Sequence, residues 1–137
     1  MEVSSTQAQG CPNPLGKTLR QRLTPLIGSS MSVYTPGSAK PSRTRGRLHA
    51  VDDDGFTVAA LQVLWEAPFY IVVPIVAQYR MPYEVVARGK NLGCLAGKLI
   101  AAGLDYVEFI QIPGSNVPTI YPLNAYTDVV CSHQGDE

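Results

Sequence analysis

The sequence predicts a mainly β chain built from short strands, and three observations carry that reading. Eleven prolines and 12 glycines punctuate short runs of Val, Ile, Tyr and Phe, which is the spacing of turns between strands. Hydrophobic residues make up 45% of the chain and charged residues 16%, enough apolar surface to offset chain entropy with a packed core. Residues 46–60, GRLHAVDDDGFTVAA, place Leu48, Ala50 and Val51 before Asp52, Asp53, Asp54 and Gly55, with Phe56 and Val58 alternating afterwards. That pattern is a β-hairpin with an acidic turn.

Taken in order, residues 1–13 are small and polar, with no apolar period, and read as a flexible tail. Leu15, Leu19, Leu23 and Leu26 then recur at helical spacing, so a short amphipathic helix is expected. Pro25 and Gly28 end it near Thr24, because proline removes a backbone donor and disfavours helical geometry in the residue before it. Met31 and Val33 alternate with polar neighbours in a first strand, and residues 35–45 form a basic loop rich in Pro, Gly and Ser. After the hairpin comes a second loop around Trp65, Glu66, Ala67 and Pro68. The run PFYIVV follows as a strand whose unbroken apolar character calls for burial on both faces or an interface on one. Pro74 interrupts it, and a single helical turn over residues 74–81 leads to a fifth strand.

The hairpin has an echo. Gly97, Leu99, Asp105, Val107 and Phe109 answer Gly46, Leu48, Asp54, Phe56 and Val58 at a constant offset of 51, and Pro122, Leu123 and Ala125 answer Pro74, Ile75 and Ala77 at 48. Tyr83, Val85 and Ala87 supply an alternating strand before it and residues 125–130 one after it. Such an echo reads as duplication of a supersecondary unit, with one larger barrel or sandwich holding two similar hairpins as the alternative.

The order helix, strand, loop, hairpin, strand, connector, strand over residues 18–80 resembles the bacterial Sm-like proteins, a family of SH3-like small barrels. The residues that carry the resemblance are Leu26, Ile27, Gly28, Gly46, Leu48, Val51, Asp52, Phe56, Val58, Tyr70, Ile71, Pro74 and Ile75. With the echo it implies an all-β fold of tandem five-stranded Sm-like barrels after a short N-terminal helix. Residues 1–13 would be a tail, 14–81 the helix and first barrel, 82–131 the second barrel, and 132–137 a polar tail. Of the family's RNA-binding features, Thr57 stands near the place of an Asn, and residues 71–75 contain no Arg-Gly.

The three aspartates are the densest carboxylate cluster, but they lack the spaced oxygen ligands of a calcium loop, and Asp beside Gly is ordinary turn chemistry. Cys11, Cys94 and Cys131 have no CxxC spacing, and neither His49 nor His133 accompanies them in a zinc or nucleophile pattern. No metal, cofactor or catalytic residue is assigned, and the chain is expected not to be an enzyme; a metal-dependent or cysteine enzyme is the third reading. Charge is uneven: residues 1–50 hold seven Lys or Arg against one Glu, while residues 51–137 hold four against ten acidic residues, so +6 faces −6. Within the first part Lys40, Arg43, Arg45 and Arg47 fall within eight residues, a basic loop able to neutralise phosphates. Tyr70, Tyr79, Tyr121 and Tyr126 lie on or beside expected strands and suit an interface, since tyrosine joins apolar area to a polar tip.

The leading expectation is therefore a non-catalytic interaction or assembly module, self-associating through open strand edges. Binding of RNA or another polyanion through the basic loop 40–47 is the alternative. The partner is expected to be a second copy or another protein. The N-terminus has no signal-like pattern and the longest apolar run is too short to span a bilayer, so a cytoplasmic, non-membrane setting is expected.

Overall fold

The computed structural model describes residues 10–12, 16–74, 81–112 and 117–133. Helix α1 (Leu19–Leu23) opens with a capping box: the Gln21 amide donates to Thr18 Oγ1 at 3.2 Å, and the Thr18 amide donates to Gln21 Oε1 at 2.9 Å. Five residues are too few for a helix to persist by propensity alone, so burial of Leu19 and Leu23 holds it in place. A 3-10 turn (Thr24–Leu26) with Pro25 follows, as the proline requires.

Ten strands come next: β1 (Ser30–Thr35), β2 (Ser42–Val51), β3 (Gly55–Val58), β4 (Leu61–Leu64), β5 (Tyr70–Val72), β6 (Tyr83–Gly89), β7 (Gly93–Ala102), β8 (Tyr106–Gln111), β9 (Pro118–Pro122) and β10 (Thr127–His133). The β2–β3 hairpin forms where the sequence places it. Its turn is closed by Asp52, whose Oδ1 accepts from the amides of Asp54 and Gly55, each at 3.0 Å. β4 occupies residues to which the sequence pattern assigns no element, and β2 begins at Ser42, so Arg43 and Arg45 of the expected basic loop stand on a strand. Of the helical turn expected over residues 74–81, residues 75–80 lie outside the described residues.

All ten strands join in one antiparallel sheet, in the order β10-β6-β7-β8-β9-β5-β1-β2-β3-β4. This corrects the expectation of tandem five-stranded Sm-like barrels and of an internal duplication. The sheet does not close on itself, since β10 and β4 stand at its two ends. β1–β5 and β6–β10 share a strand order, and the register shift at Leu48/Ala50 in β2 has a counterpart at Leu99/Ala101 in β7. They are nonetheless not two units, because β5 pairs with β9 in the middle of the sheet. Ile71 there lies opposite Ile120, Val72 lies opposite Thr119, and the Val73 amide donates to the Pro118 carbonyl at 3.0 Å.

The cores explain why the seam forms. Register places Val33, Ile71 and Ile120 on one face, where they join Leu19, Leu23, Leu48 and Phe56 in a first core that also takes in Tyr106. Tyr70 and Val72 point to the other face, into a second core with Val85, Leu99, Phe109, Tyr121 and Val129. The strands at the seam are thus covered on both faces, which is why PFYIVV and the residues of β9 lack polar alternation. Each core borrows side chains from the other half of the chain, so neither half holds a complete core of its own.

Three further ties cross the sheet. The Leu19 amide donates to Asp105 Oδ1 at 2.6 Å, fixing α1 to the turn between β7 and β8. Buried Asn124 donates from Nδ2 to the carbonyls of Trp65 and Ala67, both at 3.0 Å. Cys11 and Cys131 form a disulfide, with Cα atoms 4.7 Å apart and 120 residues between them in sequence. Closing a loop of that length removes about 5 kcal/mol of unfolded-chain entropy in the loop-closure model.

Candidate functional site

β2 alternates: Thr44, Gly46 and Leu48 turn towards the first core while Arg43, Arg45 and Arg47 project from the opposite face. Pairing with β1 sets Arg43 opposite Tyr34, Arg45 opposite Ser32 and Arg47 opposite Ser30. Beyond β1, β5 sets Val72 beside Ser32 and Tyr70 beside Tyr34. Of these, Arg43, Arg45, Ser32, Tyr34 and Val72, together with Pro74, line a groove of about 200 Å³ that has cations along one side and an apolar floor.

Within the groove the Arg43 Nε donates to Ser32 Oγ at 3.3 Å, which steadies the guanidinium over the floor. Among the described residues no carboxylate forms an ion pair with Arg43, Arg45 or Arg47. The Tyr34 and Tyr70 rings stack with centroids 4.6 Å apart and planes within 7°, and Tyr70 in turn stacks on Tyr121 at 5.7 Å. Burial first, then the neighbouring Tyr34 hydroxyl, pushes the Tyr70 phenol up to about 12, and burial raises Tyr121 further still. Both phenols therefore stay protonated at physiological pH.

The residues singled out from sequence fall in three places. Arg43 and Arg45 line the groove and Arg47 continues their row, whereas exposed Lys40 precedes the strand and stands outside it. Tyr70 and Tyr121 lie in the second core, 6% and 0% exposed, and the Tyr121 hydroxyl is buried with no hydrogen-bond partner among the described residues. Tyr126, 44% exposed, sits in the turn before β10, and Tyr79 lies outside the described residues.

The geometry corrects the expected functions. The strand edges at β5 and β9 that separate barrels would leave open are paired with each other inside the chain, which removes the basis for a small-barrel module self-associating through strand edges. Residues 42–47 are a strand with side chains fixed every second position, not a flexible loop of four cations, so RNA or polyanion binding through a basic loop 40–47 falls as well. Of the groups a metal-dependent or cysteine enzyme would draw on, Asp52 is spent on its own turn, Asp53 pairs with Arg20, and Cys11 and Cys131 are joined, while Cys94 is a free, exposed thiol. Among the described residues no group of three or more His, Cys, Asp or Glu side chains is placed to hold a metal ion. Also among them, no helix is long and apolar enough to cross a membrane.

Sequence reasoning missed Ser32, which reads as an ordinary strand serine until register puts it beneath Arg45 and within reach of Arg43. It missed the buried pair of Arg22 with Glu108, in which Nε and a terminal nitrogen donate to the two carboxylate oxygens at 2.9 and 2.8 Å. The hydrogen bonds that Arg22 donates to Glu108 hold its pKa above the ordinary value. No protein-family model, no curated protein and no solved structure matches the chain.

Proposed function

We propose that this protein works by binding rather than by catalysis, and that the groove between β1, β2 and β5 takes a carboxylate-bearing segment of another protein. The observation that carries the reading is the pair Arg43 and Arg45, unpaired by any described carboxylate, on one face of β2 above an apolar floor. Alternate residues of a strand lie about 6.8 Å apart, so the two guanidinium groups can converge on one carboxylate or grip two from an extended segment. Guanidinium is the natural partner because its planar fork matches carboxylate geometry, and Ser32 offers a further hydroxyl. Val72 and Pro74 suit an apolar side chain between the charges.

The setting we propose is the cytoplasm, which requires that the Cys11–Cys131 link be open to reduction by the thiol pool there. The segment can come from another protein or from a second copy, and solution mass separates the sources, since a 14.8 kDa particle excludes the second copy.

Fluorescence anisotropy with a dye-labelled Glu-Val-Glu-Val peptide tests the groove. The expected result is binding that weakens about 10-fold or more when both glutamates become glutamine, and equally when Arg43→Ala and Arg45→Ala are combined, the scale of losing charge-assisted bonds. Lys40→Ala leaves it unchanged. Equal binding of the glutamine peptide, equal binding by the double variant, or stronger capture of single-stranded polyuridine than of the peptide would each refute the reading.

A further inference from the structure

The disulfide ties down more than a chain end. β10 has β6 as its neighbour on one side, paired over Thr127–His133, and among the described residues no strand on the other. Against it lies the segment 10–12: a Cβ at Gly10 would come within 2.2 Å of the Cys131 carbonyl oxygen, so only glycine fits this contact, and its φ of +77° suits glycine too. Cys11 then turns its sulfur to Cys131, which is 5% exposed and packed in the second core with Val85 and Val129. Cys11 itself is only half-buried.

From this asymmetry we infer that residues 10–12 are a redox-released strap over β10. Release gives up the loop-closure stabilisation but not the register of the sheet, because β10 is paired with β6 along Thr127–His133 and none of those pairs involves the strap. What the strap controls is access to the β10 backbone on the side away from β6. Release exposes N–H and C=O groups of a strand rim that is otherwise partly covered.

The chemistry requires a dithiol reductant. Its first thiolate attacks the more accessible Cys11 sulfur; the S–S bond to Cys131 breaks, and the electron pair leaves on the Cys131 sulfur, which takes up a proton. The second thiol of the reductant then displaces Cys11, which is protonated in turn, and the reductant departs as a disulfide. Two electrons move and two protein thiols result. Exposed Cys94 on β7 takes no part and serves as an internal reference.

The test uses the full chain with and without dithiothreitol. Alkylation of the oxidised protein should label Cys94 alone, and all three cysteines after reduction. Hydrogen exchange of β10 amides not bonded to β6 should then accelerate at least 10-fold, while β8 and β9 keep their protection. Cys11→Ser should behave as the reduced protein whatever the reductant. Labelling of three cysteines before reduction, unchanged exchange along β10, or loss of protection across the whole sheet at once would each overturn the inference.

Discussion

Truncating Arg22 probes the strongest polar tie between the helix and the sheet. Glu108 stands on β8 on the face of the first core, opposite Ile120, with a side chain 6% exposed; the Arg22 side chain is 23% exposed. Arg22→Met leaves that carboxylate without its two charge-assisted bonds where water barely reaches, a change that costs about 3–5 kcal/mol. Because the guanidinium is itself partly open to solvent, water can follow into the vacated space, and the lower end, about 3 kcal/mol, applies. Glu108→Leu alone costs less, about 1–2 kcal/mol, since the orphaned guanidinium can turn towards solvent. The combined variant restores most of the loss, because an apolar pair of similar volume avoids desolvating two ions. Urea unfolding followed by the single tryptophan, Trp65, measures this. At a slope of about 1.5 kcal/mol per molar, Arg22→Met should lower the midpoint by about 2 M. A shift below about 0.5 M would mean the pair is not a major tie on this scale. A double variant as unstable as Arg22→Met would refute the argument that the unpaired carboxylate, rather than lost packing, is the cause.

Two other expectations follow from the same structure. Tyr70 ionises near 10 when unfolded and near 12 when folded, so the native state holds its proton longer; stability is intact below pH 10 and falls as pH rises towards 12. Tyr70→Phe should therefore lose less thermal stability than the parent between pH 9.5 and about 11.5, and an identical loss would exclude this phenol as a cause. Asn124→Ala strips partners from the Trp65 and Ala67 carbonyls and from the Tyr126 amide, which should cost about 1–3 kcal/mol in denaturant melts. A cost below about 0.5 kcal/mol would show that water replaces the side chain there.

Local pattern was legible and long-range pairing was not. Leu19, Leu23, Leu48, Phe56 and Val58 announced a short helix and a hairpin because periodicity records which face is buried. The unbroken PFYIVV run announced burial on two faces. Nothing in it, however, said that its neighbour would be residues 118–122, because the same apolar strand could serve a barrel seam, an interface or a sheet centre. That choice is made by the second core, whose members are drawn from residues 70 to 131. The arginines of the groove were visible as charge, and Arg43 and Arg45 as alternating with Thr44 and Gly46, but reading residues 35–45 as loop hid the serine and tyrosine that strand pairing sets beside them. Cys11 and Cys131 carried no spacing signal because ends that distant meet only once the sheet is built.

The seam between β5 and β9 bears on how the molecule melts. A ten-stranded sheet of this length could have unfolded as two calorimetric events, one for each core. Tyr106 and Ile120 belong to the first core, however, and Tyr70 to the second, so melting either core strips packed surface from the other. Heating should therefore give one endotherm whose van't Hoff and calorimetric enthalpies agree. For the same reason, severing the chain between residues 74 and 81 would yield two fragments that each expose half of a seam, and that gain order only when mixed.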